Sequence, residues 1–349
     1  MNGKKILFIC HCLYGGGAEQ VLVSLANYIS NRGHNVEIVA RMYNGEYPID
    51  SSIDVKYMNS KHHISFIWKT RKEIKKNNPD VVIAFEYFYN LCAILACIGL
   101  GKKLIVSERN NPAIVGAGAF KDVIRNFLYR FCDFLVCQTP DAMSYFPQYI
   151  RGHSLVIANP LRFNLPSKEV CSRRKEIVTF CRLRKQKNIP LMIDAFSLLC
   201  SDIQGYKMAI YGDGEEKDFI FNYIKEKGME DKITLYPASL DVHIKVIDAA
   251  LYINSSDYEG LSNSMLEAMA IGLPVICTDC PCGGARMIID DGINGLLVPV
   301  GDCKALAKAM KALISDKQLA EKLSNEARKV RTELSMDVIG NKWLVLINT

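Results

Sequence analysis

The sequence predicts an α/β protein made of two Rossmann-like domains, each an open parallel sheet covered by helices. Three observations carry this expectation. Short β-branched runs alternate with segments of helical period through the first half of the chain. The alternation stops at a stretch with two prolines and no periodicity, and then restarts. Several of the strand-like runs end in loops rich in glycine or in cations, where such sheets carry their ligands.

In chain order, the first half reads as Lys5–Cys10, Ala18–Asn31, Val36–Ala40, Ile64–Lys76, Asp80–Phe85, Leu91–Gly99, Leu104–Ser107, Lys121–Phe131 and Phe134–Gln138, strand and helix in turn. The second half reads as Glu176–Phe180, Ile189–Leu199, Lys207–Tyr211, Glu215–Lys227, Ile233–Tyr236, Ala249–Ile253, Ser264–Ile271, Pro274–Thr278 and Gly295–Pro299. Between them, Asn159-Pro160-Leu161 to Arg174 reads as the linker. Domains are therefore expected at 1–162 and 163–330, with 331–349 a C-terminal helix packing back on the first domain. At 349 residues and 49% hydrophobic, the chain has apolar side chains enough for both cores.

Bulk composition excludes several classes. The start, Met1 to Cys10, lacks the long apolar region of a signal peptide and reads as a cytoplasmic beginning. The run Leu91 to Leu100 is about half of the roughly 20 residues that span a bilayer. The 13 cysteines are scattered singly, which fits reduced thiols; Cys10-x-Cys12 and Cys277-x-x-Cys280-x-Cys282 lack the two-arm spacing of a zinc module. No metal is expected. The net charge of +6 sits in the first half, where residues 1–165 carry 19 Lys and Arg against 12 Asp and Glu. That excess is either a solvated surface or an attraction to an anionic substrate or membrane face, with no nucleic-acid partner expected. Basic positions Lys69 to Lys76 beside Ile64, Phe66, Ile67 and Trp68 suit peripheral contact with an anionic leaflet, or an amphipathic helix on its own sheet.

Three stretches carry chemistry. Gly15-Gly16-Gly17 follows the first strand and opens a helix, so Gly16 and Gly17 can bring backbone amides close to a phosphate. The stretch does not match G-x-G-x-x-G, and no acidic residue closes the second strand at Ala40-Arg41, which argues against a dinucleotide cofactor. Arg182-Leu183-Arg184-Lys185-Gln186-Lys187 places cations between a strand and a helix, where Arg182 and Lys187 could converge on a diphosphate or simply meet solvent. Glu259 and Glu267 stand eight residues apart around a helix start formed by Gly260, Leu261, Ser262 and Asn263. Glu259 could serve the helix dipole, and the surround of Glu267 reads as buried, so a polyhydroxyl ligand would answer its cost.

These motifs, in this order, resemble glycosyltransferase family 4, the retaining GT-B enzymes. The resemblance covers nearly the whole chain: the glycine loop with Ala18-Glu19, Arg182-x4-Lys187-Asn188, Tyr211-Gly212-Asp213-Gly214-Glu215, Glu259-x7-Glu267 with Ala268-Met269-Ala270-x-Gly272-x-Pro274, and Asp291-Gly292-x-Asn294-Gly295. It implies a cleft between the domains and a nucleotide-sugar donor, most simply a UDP-sugar, as substrate with no cofactor. Arg182 and Lys187 would hold the diphosphate, Glu267 the ribose, and Glu259 with the amides of Gly260 to Asn263 the transferred sugar and β-phosphate. Gly16 and Gly17 would close over the phosphates and acceptor. Where many relatives carry a histidine, this chain has Ser107-Glu108-Arg109-Asn110-Asn111-Pro112. That departure resembles enzymes that extend lipid-linked bacterial glycans, with Glu108 and Arg109 handling the acceptor; a structural, salt-bridged role is the alternative. A second departure, Gly283-Gly284-Ala285-Arg286-Met287, leaves no carboxylate at 287. The chain has no Asp-x-Asp, so cations and helix amides would replace a metal. An epimerase, or a binding subunit without turnover, are the competing readings.

Overall fold

A computed structural model describes residues 3–115, 118–167 and 172–349. The chain divides into two units, Met1–Phe163 with Leu334–Thr349, and Asn164–Glu333. Among the described residues, the first holds seven parallel strands, β1 (Lys5–Cys10), β2 (Asn35–Ala40), β3 (Asp54–Tyr57), β4 (Val81–Phe85), β5 (Lys103–Ser107), β6 (Phe134–Cys137) and β7 (Ser154–Val156). Their order is β3-β2-β1-β4-β5-β6-β7. The central runs Ile6–Cys10 and Val81–Phe85 are buried at every position, as strands covered on both faces must be. The edge strands β3 and β7 have no such run: they are short and half-exposed, and hydrophobic patterning does not announce them.

The described residues of the second unit hold six parallel strands, β8 (Arg174–Phe180), β9 (Lys207–Tyr211), β10 (Ile233–Tyr236), β11 (Ala249–Asn254), β12 (Val275–Thr278) and β13 (Leu296–Val298), in the order β10-β9-β8-β11-β12-β13. One core cluster joins the helix Ile189–Leu199 to Cys303–Ser315 through Ile193, Phe196, Leu306 and Met310. In each sheet the order reverses beside the first strand, between β1 and β4 and between β8 and β11. Ligands of doubly wound sheets bind at such switch points, outside the carboxyl ends of the strands.

The C-terminal helix Met336–Asn348 belongs to the first unit. Trp343 is buried against Phe85 with ring centroids 5.6 Å apart. Gly340 lies so close to Tyr28 that a Cβ would come within 2.4 Å of its ring, while Tyr28 Oη donates to Asn341 Oδ1 at 3.0 Å. Residues 331–333 stay with the second unit because the Arg331 guanidinium donates to the carbonyls of Leu165, Pro166 and Ala270. In the basic helix His63–Asn77, Phe66 is buried, Lys69 Nζ donates to the Met58 carbonyl and Arg71 to those of Ala96 and Ile98, leaving Ile64 and Trp68 exposed. Among the described residues, no helix is long and apolar enough to cross a membrane.

Candidate active site

The loops after β8 and β11 flank the switch point of the second sheet and are bonded to each other. After β8, Arg182 is exposed and Leu183 is buried. Gly212 and Gly214 press against this loop: a Cβ at 212 would lie 2.1 Å from the Cys181 carbonyl oxygen, and at 214 2.3 Å from that of Leu183. Both glycines are thus explained by packing. The turn Lys185–Lys187 ends at Asn188, whose left-handed backbone (φ 43°) starts the helix Ile189–Leu199 while its side chain accepts from the Leu191 amide. Asn188 Nδ2 also donates to Asp257 Oδ1 at 2.7 Å, and Ser255 Oγ donates to the Lys187 carbonyl at 2.8 Å.

This clamp seats Lys187 on Glu259. Lys187 Nζ contacts Glu259 Oε1, and the side chains are only 15% and 13% exposed. Ser256 Oγ donates to the same carboxylate oxygen at 2.8 Å, and Gln186 Nε2 to the other at 3.2 Å. Burial pulls the Lys187 ammonium down, but the charge and hydrogen bond of Glu259, together with Cys181 and Cys280, outweigh it and hold the ammonium above its ordinary value. The Glu259 backbone is fixed too: its amide donates to Pro281 at 2.9 Å, and its carbonyl accepts from Cys282 at 3.0 Å. Gly284 makes this approach possible, since a Cβ there would stand 1.9 Å from the Gly260 carbonyl oxygen.

Gly260 and Leu261 are buried, and Ser262 caps the helix Asn263–Ala270 by accepting from the Met265 amide. The amino end of that helix concentrates partial positive charge beside Glu259. One turn on, Glu267 is 7% exposed and its Oε2 lies 2.9 Å from His243 Nε2. The buried carboxylate therefore has a protein partner, which the sequence reading did not foresee. His243 is itself 4% exposed, with its ring edge-on to Phe180 at 5.3 Å.

In the first unit, Gly15 adopts φ 102° and Gly16 is the extended residue that opens the helix Gly17–Ser30 at the carboxyl end of β1. Tyr47 Oη donates to the Gly16 carbonyl at 3.5 Å. Glu108 and Arg109 follow β5 but do not pair with each other. Glu108 is 2% exposed and accepts from Tyr129 Oη at 2.5 Å; burial pushes its carboxyl up, with Tyr129 and Arg125 pulling the other way. Arg109 stacks over Phe85 at 4.5 Å and donates to Asn159 Oδ1 at 2.7 Å, an oxygen that also accepts from Gln138. Asn90 ties both sides together, donating to the Ser107 carbonyl and to Tyr129 Oη, each at 3.0 Å.

The structure thus gathers Arg182, Lys187, Glu259, Gly260 to Asn263 and Glu267 on one sheet's carboxyl ends, and Gly16, Gly17, Glu108 and Arg109 on the other's. Two family descriptions match the chain, Glycosyl transferases group 1 over residues 163–330 and Glycosyltransferase Family 4 over residues 15–161. The chain belongs to glycosyltransferase family 4 and has the GT-B fold.

This family 4 glycosyltransferase is 29% identical to a Campylobacter jejuni enzyme described as GalNAc-alpha-(1->4)-GalNAc-alpha-(1->3)-diNAcBac-PP-undecaprenol alpha-1,4-N-acetyl-D-galactosaminyltransferase, over 98% of each chain. It is 24% identical to an uncharacterized glycosyltransferase of Haemophilus influenzae, over 97% of this chain and 99% of the relative. Its fold matches that of Anabaena HepE in complex with UDP-glucose, with a TM-score of 0.85 at 19% identity and 99% of each chain covered.

Sequence reasoning missed the residues that hold the site rather than form it. Ser256, Gln186 and Asn188 lie inside the motifs, and their proximity to Lys187 and Glu259 was a usable signal. His243 stands 24 residues before Glu267 with no motif around it. Asn159 and Gln138 follow β7 and β6, and only the strand order brings them to Arg109.

Proposed function

We propose that this glycosyltransferase moves a hexose or N-acetylhexosamine from a UDP-sugar to a lipid-linked glycan acceptor, with retention at the anomeric carbon and without a metal. The observation that carries the reading is the Lys187–Glu259 pair at the switch point of the second sheet, beside the amino end of the helix Asn263–Ala270. A ligand with a diphosphate and sugar hydroxyls suits it: cations and helix amides for the phosphates, a carboxylate for the hydroxyls.

In this reading Arg182 and Lys187 stabilise the charge that grows on the diphosphate as the anomeric bond breaks. A β-phosphate oxygen takes the proton of the attacking acceptor hydroxyl on the same face, which gives retention with no protein nucleophile. Glu267, held by His243, takes the ribose hydroxyls, and Glu259 with the amides of Gly260, Leu261, Ser262 and Asn263 takes the transferred sugar. Gly16 and Gly17 offer backbone amides to a phosphate at the carboxyl end of β1. Arg109 meets the acceptor, with Glu108 and Tyr129 fixing the backbone it stands on. The lipid-linked acceptor finds support in the Campylobacter relative, whose name specifies a PP-undecaprenol glycan. Contact with the membrane is then peripheral.

The test is turnover of purified chain with a panel of UDP-sugars and a polyprenyl-diphosphate glycan in EDTA, the product's anomeric configuration being read by NMR. Transfer with an α-product from an α-donor is expected. Activity that vanishes in chelator and returns with magnesium or manganese overturns metal independence; interconversion of the donor without transfer favours an epimerase, and donor binding without turnover a binding subunit.

A further inference from the structure

The helix Ala119–Leu128 is turned inside out relative to an ordinary surface helix. Its apolar residues Phe120, Val123, Ile124 and Phe127 stand at the i, i+3, i+4, i+7 spacing that normally faces a core. Here they face outward, at 77%, 67%, 37% and 55% exposure, and Phe131 of the next turn continues the stripe at 54%. Among the described side chains of the helix, the fully buried one is a cation, Arg125. It donates to the Pro112 carbonyl at 2.9 Å and to Asp122 Oδ1 at 2.7 Å, and it lies over the rings of Tyr145 and Phe146. These bonds fix which face looks out.

We propose that this ridge is the surface by which the first unit enters an anionic lipid bilayer. The stripe exposes about 500 Å² at side-chain areas of about 150–250 Å² for an aromatic, within the range of patches that mark interaction sites. A stable protein interface needs about 800 Å² per partner, so one convex ridge is small for a second copy of the chain. A bilayer asks for no matching shape. Exposed Lys121 and Arg130 border the apolar residues, and the unit's cationic excess supplies the complementary field. The one acidic residue within the helix, Asp122, is engaged by Arg125 and by Tyr145 Oη at 3.1 Å.

The ridge is also joined to the chemistry. It follows in sequence from the segment after β5 that carries Glu108 and Arg109, and Arg125 is bonded to Pro112 of that segment. Docking it on a leaflet would bring this segment to the headgroup level, where a lipid-linked diphosphate lies. The inference rests on the lipid-linked acceptor proposed above, and its test separates the two.

The full chain is floated with vesicles of phosphatidylglycerol and phosphatidylcholine, and with pure phosphatidylcholine, alongside Phe120→Ser/Phe127→Ser and, for comparison, Ile64→Ser/Trp68→Ser on the helix His63–Asn77. Turnover is measured in parallel on a short-chain, water-soluble acceptor. The ridge variant is expected to lose vesicle partition by about thirtyfold or more, the scale of two partly buried phenyl rings, while soluble turnover holds. The comparison variant should keep most of its binding. Equal partition of parent and ridge variant overturns the proposal, as does a parent dimer that the ridge substitutions dissolve, which would assign the stripe to a second copy. A parent that docks through the ridge yet never uses a polyprenyl-linked acceptor refutes the acceptor reading and leaves the surface standing.

Discussion

Replacing Lys187 by Met leaves Glu259 with two of its three donors, because Ser256 Oγ and Gln186 Nε2 remain. Breaking a fully buried pair costs about 3–5 kcal/mol. The side chains here are 15% and 13% exposed, and two donors persist, so about 2–3 kcal/mol is expected. Glu259→Gln alone should cost less, and Lys187→Met/Glu259→Gln less than the two singles together, with a coupling of about 1–2 kcal/mol. Urea unfolding measures it. Trp68 and Trp343 both lie in the first unit, so far-UV ellipticity must follow the second. The pH dependence has a definite sign. Lys187 is held above its ordinary 10.5, so its protonation favours the fold; that gain is complete below about 10.5 and is lost as pH rises through the higher folded value. The coupling should be flat across neutral pH and disappear in strong alkali. In binding, Lys187→Met should weaken a UDP-sugar by about 1.5–3 kcal/mol, roughly 10- to 150-fold. Additivity of the two single substitutions within about 0.5 kcal/mol would refute the pair as an energetic unit.

The two carboxylates should separate by calorimetry: Glu267→Ala is expected to weaken free UDP, whereas Glu259→Ala should spare UDP and lower turnover of the intact donor, and equal effects on UDP would refute the division. His243→Ala removes the imidazole from the buried Glu267 carboxylate and should lower stability by about 1–3 kcal/mol and UDP affinity with it; an unchanged UDP titration would separate His243 from the nucleotide. Gly284→Ala puts a Cβ 1.9 Å from the Gly260 carbonyl oxygen, so the loop must move: a loss of about 1–3 kcal/mol in unfolding and a fall in kcat are expected, and wild-type behaviour would show the approach to be looser. Glu108→Gln keeps an acceptor for Tyr129 while removing a buried charge and should match or exceed the parent Tm, whereas Glu108→Ala should lower it; a sharp loss in the Gln variant would mean that the charge itself is needed.

The first parallel sheet was legible because its central strands, Ile6–Cys10 and Val81–Phe85, are apolar at every position, a pattern that few other structures demand; in the second sheet the alternation of strand-like and helical runs carried the reading. The edge strands β3 and β7 were not, since an edge needs no such run. Lys187 and Glu259 were legible as candidates from their motifs, but their pairing was not: 72 residues separate them, and only the adjacency of β8 and β11 closes that distance. His243 was invisible for the same reason, without a motif to compensate. Glu108 shows a different limit. Two successive residues after a strand point to opposite sides, so a Glu-Arg dipeptide is poorly placed to form one salt bridge; the structure sends one to Tyr129 and the other to Asn159. Arg125 shows the converse, since periodicity identifies an apolar stripe but not which side of the helix the rest of the fold will cover.

The Lys187–Glu259 contact also bears on how the proposed reaction would begin. A buried ammonium must have a counter-charge, and in the structure Glu259 supplies it. A donor diphosphate that draws on Lys187 does so in competition with that carboxylate, so part of its binding energy goes into loosening an existing pair. The loosening is useful. Glu259 keeps Ser256 and Gln186 as donors and a backbone fixed through Pro281 and Cys282, so it stays in place while its negative charge becomes available to sugar hydroxyls. Free phosphate would meet the same competition without a sugar to take up the released carboxylate, which disfavours unproductive occupants. Removing Glu259 should therefore cost turnover of the intact donor while relieving competition for Lys187, and UDP alone should bind Glu259→Ala as well as or better than the parent. Weaker UDP binding in that variant would show that Glu259 holds Lys187 ready for phosphate rather than competing for it.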